Sequence, residues 1–282
     1  VTPQPLRWGV LGATSYVARL AVLPALRDSP HAVLQAVASR SAIDAQRIAV
    51  RFGAARAYGS YDEVLADADV DAVYIPLPNV LHREWTLRCA AAGKHVLCEK
   101  PLGVDAAQAQ EMARACAQAG VVLMEAYMTP FHPRAAALLE IAGGELGTLV
   151  SARSVFSFPL RDPGNHRWLA GGGALLDVGI YCLSPLLAIA GRDPLRIAAA
   201  MRPAPSGVDA SATGWLDFGE GFAAGFECSF EAPERQLLEV TGTEASLSAE
   251  RIFTGGPEDV ELRLRRRDGG EELRRTEGLD PY

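Results

Sequence analysis

Short apolar runs alternate with stretches of helical apolar spacing through the first half of the chain. Apolar, β-branched runs at 6–11, 33–39, 57–58, 71–76, 95–99 and 121–124 predict strands. Between them, 17–27, 42–52, 61–66, 81–92 and 105–119 carry the spacing of amphipathic helices, the last two followed by Gly93 and Gly120. Strands alternating with helices of this length make βαβ units, and therefore a doubly wound parallel sheet over 1–125. The second half changes period. A helix at 133–142 precedes a strand at 148–158, a loop rich in Arg, Pro and Gly at 159–173, and a helix at 174–190. Strand-like segments then follow one another at 195–202, 211–218, 222–230, 235–242, 245–249 and 259–266, with turns expected at Gly219-Glu220-Gly221 and Asp268-Gly269-Gly270. Consecutive strands predict an open, mostly antiparallel sheet with helices on one face, an α+β domain over 126–282. The sequence stops at Asp280-Pro281-Tyr282 with no closing helix after the sheet.

Composition narrows the function classes. With 49% hydrophobic and 22% charged residues the chain is an ordinary globular mixture, and 282 residues suit two domains. A net charge of −7 argues against nucleic-acid binding, which needs a basic face. A membrane span needs about 18 uncharged apolar residues; the most apolar helical stretch, 174–190, contains Asp177 and Pro185, so no membrane association is expected. No leader is expected from Val1-Thr2-Pro3-Gln4-Pro5, which runs straight into an apolar strand. Five cysteines, at 89, 98, 116, 182 and 228, form no CxxC pair; buried reduced thiols in a cytoplasmic protein, and no metal site, are expected. The arginines at 263, 265, 266 and 267 sit in a strand–turn pattern with glutamates nearby and suit a solvated hairpin.

Candidate chemistry begins at the first strand-to-helix turn, where Gly12, Ala13, Thr14, Ser15 and Tyr16 stand where a dinucleotide fold places its glycine-rich turn. Counted from Gly12, the second and third glycines of that fingerprint are Thr14 and Val17, so a plain strand-to-helix turn is an equal reading of this segment alone. The second strand ends in Ser39 and Arg40, where an NAD-selective site would place a carboxylate. Ser and Arg would hold a 2′-phosphate, which favours NADP; a solvated loop arginine is the alternative for Arg40.

Three further segments join these: Pro76-Leu77-Pro78-Asn79 with His82, then Gly93-Lys94-His95-Val96-Leu97-Cys98-Glu99-Lys100-Pro101, then Gly171-Gly172-Gly173-Ala174-Leu175-Leu176-Asp177-Val178-Gly179-Ile180-Tyr181. In this order they resemble the glucose-fructose oxidoreductase / inositol dehydrogenase (Gfo/Idh/MocA) family, from about Leu6 to the end of the chain. Met124-Glu125-Ala126-Tyr127-Met128 with Phe131-His132-Pro133 is similar to its NADP-linked dihydrodiol and aldose 1-dehydrogenase branch. The resemblance implies a Rossmann domain followed by a domain whose open sheet often makes a homo-oligomer, and a terminal helical segment that this sequence lacks. It implies catalytic roles for Lys100, Asp177 and Tyr181, and cofactor contacts from Pro76, Leu77, Asn79, Glu99 and Lys100 beside the first turn. His82 is either a polar neighbour of the cofactor or a helix cap. Arg167 resembles an arginine that reaches cofactor or substrate, with a surface arginine as the alternative; Tyr127, Phe131 and Phe156 are candidates to wall a substrate or else core aromatics.

The chemistry suits those residue types. Asp177 and Tyr181 stand four apart on a predicted helix and so share a face. Moving a hydride from a carbinol to NADP also removes the hydroxyl proton. Tyrosine, with an ordinary pKa near 10, needs help as a base at neutral pH. A lysine ammonium at ~4 Å and an effective dielectric of ~20 favours the phenolate by about 4 kcal/mol before desolvation. Tyr181 is thus the candidate acid/base, Lys100 its modulator and substrate clamp, and Asp177 an orienting group that pairs with Lys100 or holds the substrate hydroxyl. The expected activity is NADP-dependent oxidation or reduction at a CH–OH group of a sugar, polyol or cyclic diol. A ketoreductase for a nucleotide-linked sugar and a non-catalytic NADP(H)-binding regulator are the alternatives.

Overall fold

The computed structural model describes residues 4–254 and 259–280, so the first three residues and Pro281-Tyr282, on which the expectations about a leader and a closing helix partly rest, lie outside it. The described residues divide into two compact units, one up to residue 127 and the other from 128 onward.

In the first unit, β1 (Leu6–Val10), β2 (Ala32–Ala38), β3 (Arg56–Tyr58), β4 (Ala72–Ile75), β5 (His95–Glu99) and β6 (Leu123–Ala126) form a sheet in the order β3-β2-β1-β4-β5-β6. Every pairing in it is parallel. Helices α1 (Leu23–Asp28), α2 (Ala42–Phe52), α3 (Tyr61–Ala66), α4 (Asn79–Ala91) and α5 (Ala106–Gln118) connect the strands. Each of the four residues of β4 is buried, as a strand with both faces covered demands. One core cluster gathers Leu11, Val73, Ile75, Trp85 and Met112; the other gathers Val10, Leu23, Val37, Phe52 and Tyr74. Local chemistry starts the helices: the side chains of Ser41, Ser60 and Asp105 accept from the backbone N–H groups of Asp44, Asp62 and Gln108. The strand order reverses between β1 and β4, and in such sheets the crevice for a ligand opens beyond the carboxyl ends at that point.

The second unit holds α6 (Pro133–Gly144), α7 (Ile180–Ala190) and the strands β7 (Leu149–Ser157), β8 (Arg196–Pro203), β9 (Asp209–Gly219), β10 (Phe222–Ser229), β11 (Arg235–Gly242), β12 (Ala245–Glu250), β13 (Val260–Arg266) and β14 (Glu271–Thr276). Their order is β14-β13-β12-β11-β7-β10-β9-β8. The sheet is antiparallel except where β10 lies parallel to β7, because the chain leaves β7 through α7 and re-enters beyond it. Strict alternation of buried and exposed residues on β13 shows one face turned inward and one left open.

The structure alters several expectations. Strand β14 completes the arginine hairpin, where Arg263 and Arg265 pair with Glu271. Strand β6 begins two residues later than the apolar run, which takes Glu125 into the sheet. The predicted helix at 174–190 opens instead as a π-helical turn, Leu175–Gly179, before α7. The helix after β1 likewise contains a π turn, Ala18–Val22. No helix among the described residues is long and apolar enough to cross a membrane.

Candidate active site

In the first unit the candidates collect at the carboxyl ends of β1, β2, β4 and β5. The turn after β1 is pinned on both sides: Leu11 N donates to Tyr74 O (3.0 Å) and Ala13 N to Ala38 O (2.9 Å). Gly12 has φ +62°, and a Cβ there would lie 2.6 Å from Leu77 Cδ2, so the turn needs glycine at this position. Thr14 and Tyr16 are exposed, and Ser15 Oγ accepts from Ala18 N. At the end of β2, Ser39 is buried with its hydroxyl accepting from Ser41 N, while Arg40 is exposed. No carboxylate occupies the end of β2, and the side chain that does is cationic. Tyr61, unmarked in the sequence, stands beside Gly12; burial raises its phenol pKa and the charge of Arg40 lowers it. It escaped notice because it opens an unremarkable amphipathic helix.

Beyond β4, Pro76 and Leu77 are buried and Asn79 is the first residue of α4. Beyond β5, Glu99 accepts from Tyr74 Oη at 2.6 Å, Lys100 is half-buried, and Leu102 N donates to Glu125 Oε1 at 2.7 Å. The Lys100–Pro101 peptide is cis. His82 corrects the expectation: it is wholly buried inside α4, with Nε2 2.8 Å from Leu77 O and Nδ1 2.9 Å from Pro101 O. It neither caps a helix nor faces open space, because both ring nitrogens are spent on backbone carbonyls.

In the second unit the glycine triplet serves the protein's own packing. A Cβ on Gly172 would lie 2.2 Å from Arg167 O; one on Gly173, at φ +104°, would lie 2.1 Å from Asp209 Oδ1. Glycine at both positions therefore answers a steric demand from within the fold. Asp209 Oδ2 accepts from Leu175 N at 2.7 Å, so a carboxylate from the start of β9 caps the helical run that no local Ser, Thr or Asp caps. Asp209 was missed because it lies on a distant strand with no local pattern to mark it.

Asp177 sits in the π turn, and Arg167 Nε donates to its Oδ2 at 2.6 Å. Arg167 thus holds a candidate catalytic carboxylate rather than standing loose on the surface, and Asp177 has a cationic partner that sequence reasoning did not assign. Tyr181, in the first turn of α7, is buried, with its hydroxyl 3.6 Å from the Met128 sulfur and its ring edge-on to Phe156 at 5.4 Å. Phe156 stacks on Phe253 at 5.7 Å, so it is a core aromatic that fixes the tyrosine ring. Phe131 is 69% exposed and Tyr127 is buried. No group of His, Cys, Asp and Glu among the described residues is arranged to hold a metal ion. All five cysteines are buried and free, and burial pushes the Cys89 and Cys182 thiols up to about 12, which keeps them unreactive at neutral pH. A polar groove of about 420 Å³ lies instead on the open sheet face, lined by Arg153, Glu239, Arg263 and Arg265, and holds none of the candidate residues.

Comparison with known proteins bears on both units. The model of the oxidoreductase family with an NAD-binding Rossmann fold (GFO/IDH/MocA) matches residues 6–127, and that of the GFO/IDH/MocA C-terminal domain matches 136–248. D-xylose 1-dehydrogenase (NADP(+)) 2 of Haloferax volcanii is 39% identical over 255 residues, 89% of this chain and 78% of that protein. Trans-1,2-dihydrobenzene-1,2-diol dehydrogenase of Mus musculus is 38% identical over 253 residues, 88% of this chain and 75% of that protein. Among solved structures, KijD10, a 3-ketoreductase from Actinomadura kijaniata in complex with NADP and TDP-benzene, superposes with a TM-score of 0.92 at 33% identity, over 99% of this chain and 86% of that one.

Proposed function

The chain belongs to the Gfo/Idh/MocA oxidoreductase family, and from that premise we propose that it moves a hydride between NADP(H) and a carbinol or carbonyl carbon of a sugar, polyol or cyclic diol. The observation that carries this reading is the likeness, across both units, to an NADP-linked xylose dehydrogenase and a dihydrodiol dehydrogenase. The first unit fits the cofactor on its own terms. Gly12 supplies a tight turn at the switch point of the sheet, and exposed Arg40 with Ser39 stands where a 2′-phosphate is met and a carboxylate would repel it. Bound NADP supplies the hydride acceptor; Gly12 to Tyr16, Ser39, Arg40, Pro76, Leu77, Asn79, Glu99 and Lys100 are the residues we assign to holding it.

The proton is the protein's task. Tyr181 takes it from the substrate hydroxyl in oxidation and returns it in reduction, and its ring is held by Phe156 and Phe253. The Lys100 ammonium favours the phenolate and binds the substrate oxygen. Asp177 orients the hydroxyl, and Arg167 fixes the Asp177 carboxylate in one rotamer through the 2.6 Å contact. Phe131 offers an exposed ring to a sugar or diol face, whereas Tyr127 is buried. Assembly as a homo-oligomer through the open sheet face belongs to the same proposal, as does a reducing compartment suited to five buried thiols.

A 340 nm turnover assay with NADP and with NAD, against aldoses including D-xylose, polyols and trans-dihydrodiols, tests the reading. NADP-linked turnover is expected, falling by about a hundredfold or more in Tyr181→Phe with NADPH binding retained. A second reading, reduction of a 3-keto sugar carried on a nucleotide, draws on the likeness to KijD10. Saturable binding of dTDP by the wild-type protein, with no turnover of free sugars or diols, would decide for it; NADPH binding with neither would leave a regulator.

A further inference from the structure

We propose that His82 is a positioning residue that ties the Leu77 turn to the Pro101 turn and thereby sets where Lys100 stands. Two buried carbonyls, of Leu77 and Pro101, end the segments that follow β4 and β5, and a buried carbonyl needs a donor. The imidazole, with no exposed surface, lies between them at 2.8 and 2.9 Å. The Leu77 side chain packs where Gly12 lacks a Cβ, and Pro101 follows Lys100 directly, so one ring connects the first turn, the β4 turn and the lysine.

Burial, with the Lys100 ammonium nearby, pushes the imidazole below its ordinary range. A protonated ring donates to both carbonyls and a neutral ring to one of them, and the two backbone bonds oppose the lowering by burial. Other ionisable groups on the adjoining strands are already engaged: Glu99 by Tyr74, and Glu125 by the Leu102 amide. The Leu102 amide lies one residue beyond Pro101, which makes it a direct probe of the turn. His82 touches none of the reacting atoms in this scheme; it acts through the segments it holds.

The kinetic part of this inference rests on the oxidoreductase reading, and the exchange part does not. His82→Leu removes the donor at similar volume, and His82→Gln keeps one donor with comparable reach. In His82→Leu, kcat should fall about tenfold and KM for NADP rise severalfold, with little change in KM for the sugar or diol. His82→Gln should restore kcat to within about threefold of wild type. Amide hydrogen exchange at Leu102 should quicken by about tenfold or more in His82→Leu, with the amides of β1 and β4 unchanged. Should the leucine variant not fold, His82→Asn, too short to span both turns, takes its place. A folded leucine variant with wild-type kcat and wild-type exchange at Leu102 would overturn the proposal. So would a glutamine variant as impaired as the leucine one, since the ring would then matter only as volume. If the wild-type protein turns over nothing, the functional reading has failed, and exchange at Leu102 still decides the role of His82.

Discussion

Two glycine-bearing turns lead into the two candidate helices, and they are held in place by different means. The turn at Gly12 is anchored by backbone hydrogen bonds to the strands on either side of β1, and Ser15 caps its helix from within the same segment. The turn at 171–173 is anchored by side chains from elsewhere: the Asp209 carboxylate caps Leu175 N and presses against Gly173, while Arg167 reaches Asp177. Both helical runs contain a π turn close to their start, a feature frequent at functional sites. A turn built into a parallel sheet inherits its position from neighbouring strands. A turn that precedes a helix packed on an open sheet has no such frame and takes its position from individual contacts.

That contrast can be broken by substitution. Gly173→Ala should be the most damaging change, about 3 kcal/mol or more by chemical denaturation, because a positive φ and a Cβ 2.1 Å from a fixed carboxylate oxygen act together. Gly12→Ala has the milder φ of +62° and meets mainly the end of the Leu77 side chain, so about 1–2 kcal/mol is expected, together with weaker NADPH binding. Equal costs at the two sites would mean that the turns are held alike. Asp209→Ala should cost about 1–2 kcal/mol as a lost helix cap and lower kcat more than it raises KM, with Asp209→Asn recovering most of the stability. An alanine variant with unchanged unfolding midpoint and kcat would show that the helix start needs no distant cap.

The smallest effect sharpens the same point within the second unit. Glu145, at the end of α6, accepts from Arg274 and Arg266 on the terminal hairpin, and these bonds hold its carboxyl at about 2 instead of the ordinary 4.5. A depressed carboxylate pKa contributes stability that is complete above the unfolded value and is lost as pH falls through the folded one. The Tm of the wild-type protein should therefore decline between about pH 4.5 and 2 by more than that of Glu145→Gln. Identical slopes in a calorimetric pH series would remove this pairing from the account.

Much of the architecture was legible in the order of residues. Period-two and period-3.6 apolar patterns mark strands and helices locally, and turn residues such as Gly93 and Gly219-Glu220-Gly221 punctuate them without reference to anything distant. The motifs around Lys100 and around Asp177 and Tyr181 identified the family because each is a contiguous run of residues. The tertiary structure alone decided who partners whom: His82 with the carbonyls of Leu77 and Pro101, Arg167 with Asp177, Asp209 with Leu175, and β10 beside β7 in parallel. Periodicity states which face of an element is apolar, but the partner of a buried imidazole or a capping carboxylate depends on strand order and register. Those follow only when the whole sheet has closed its hydrogen bonds and its core.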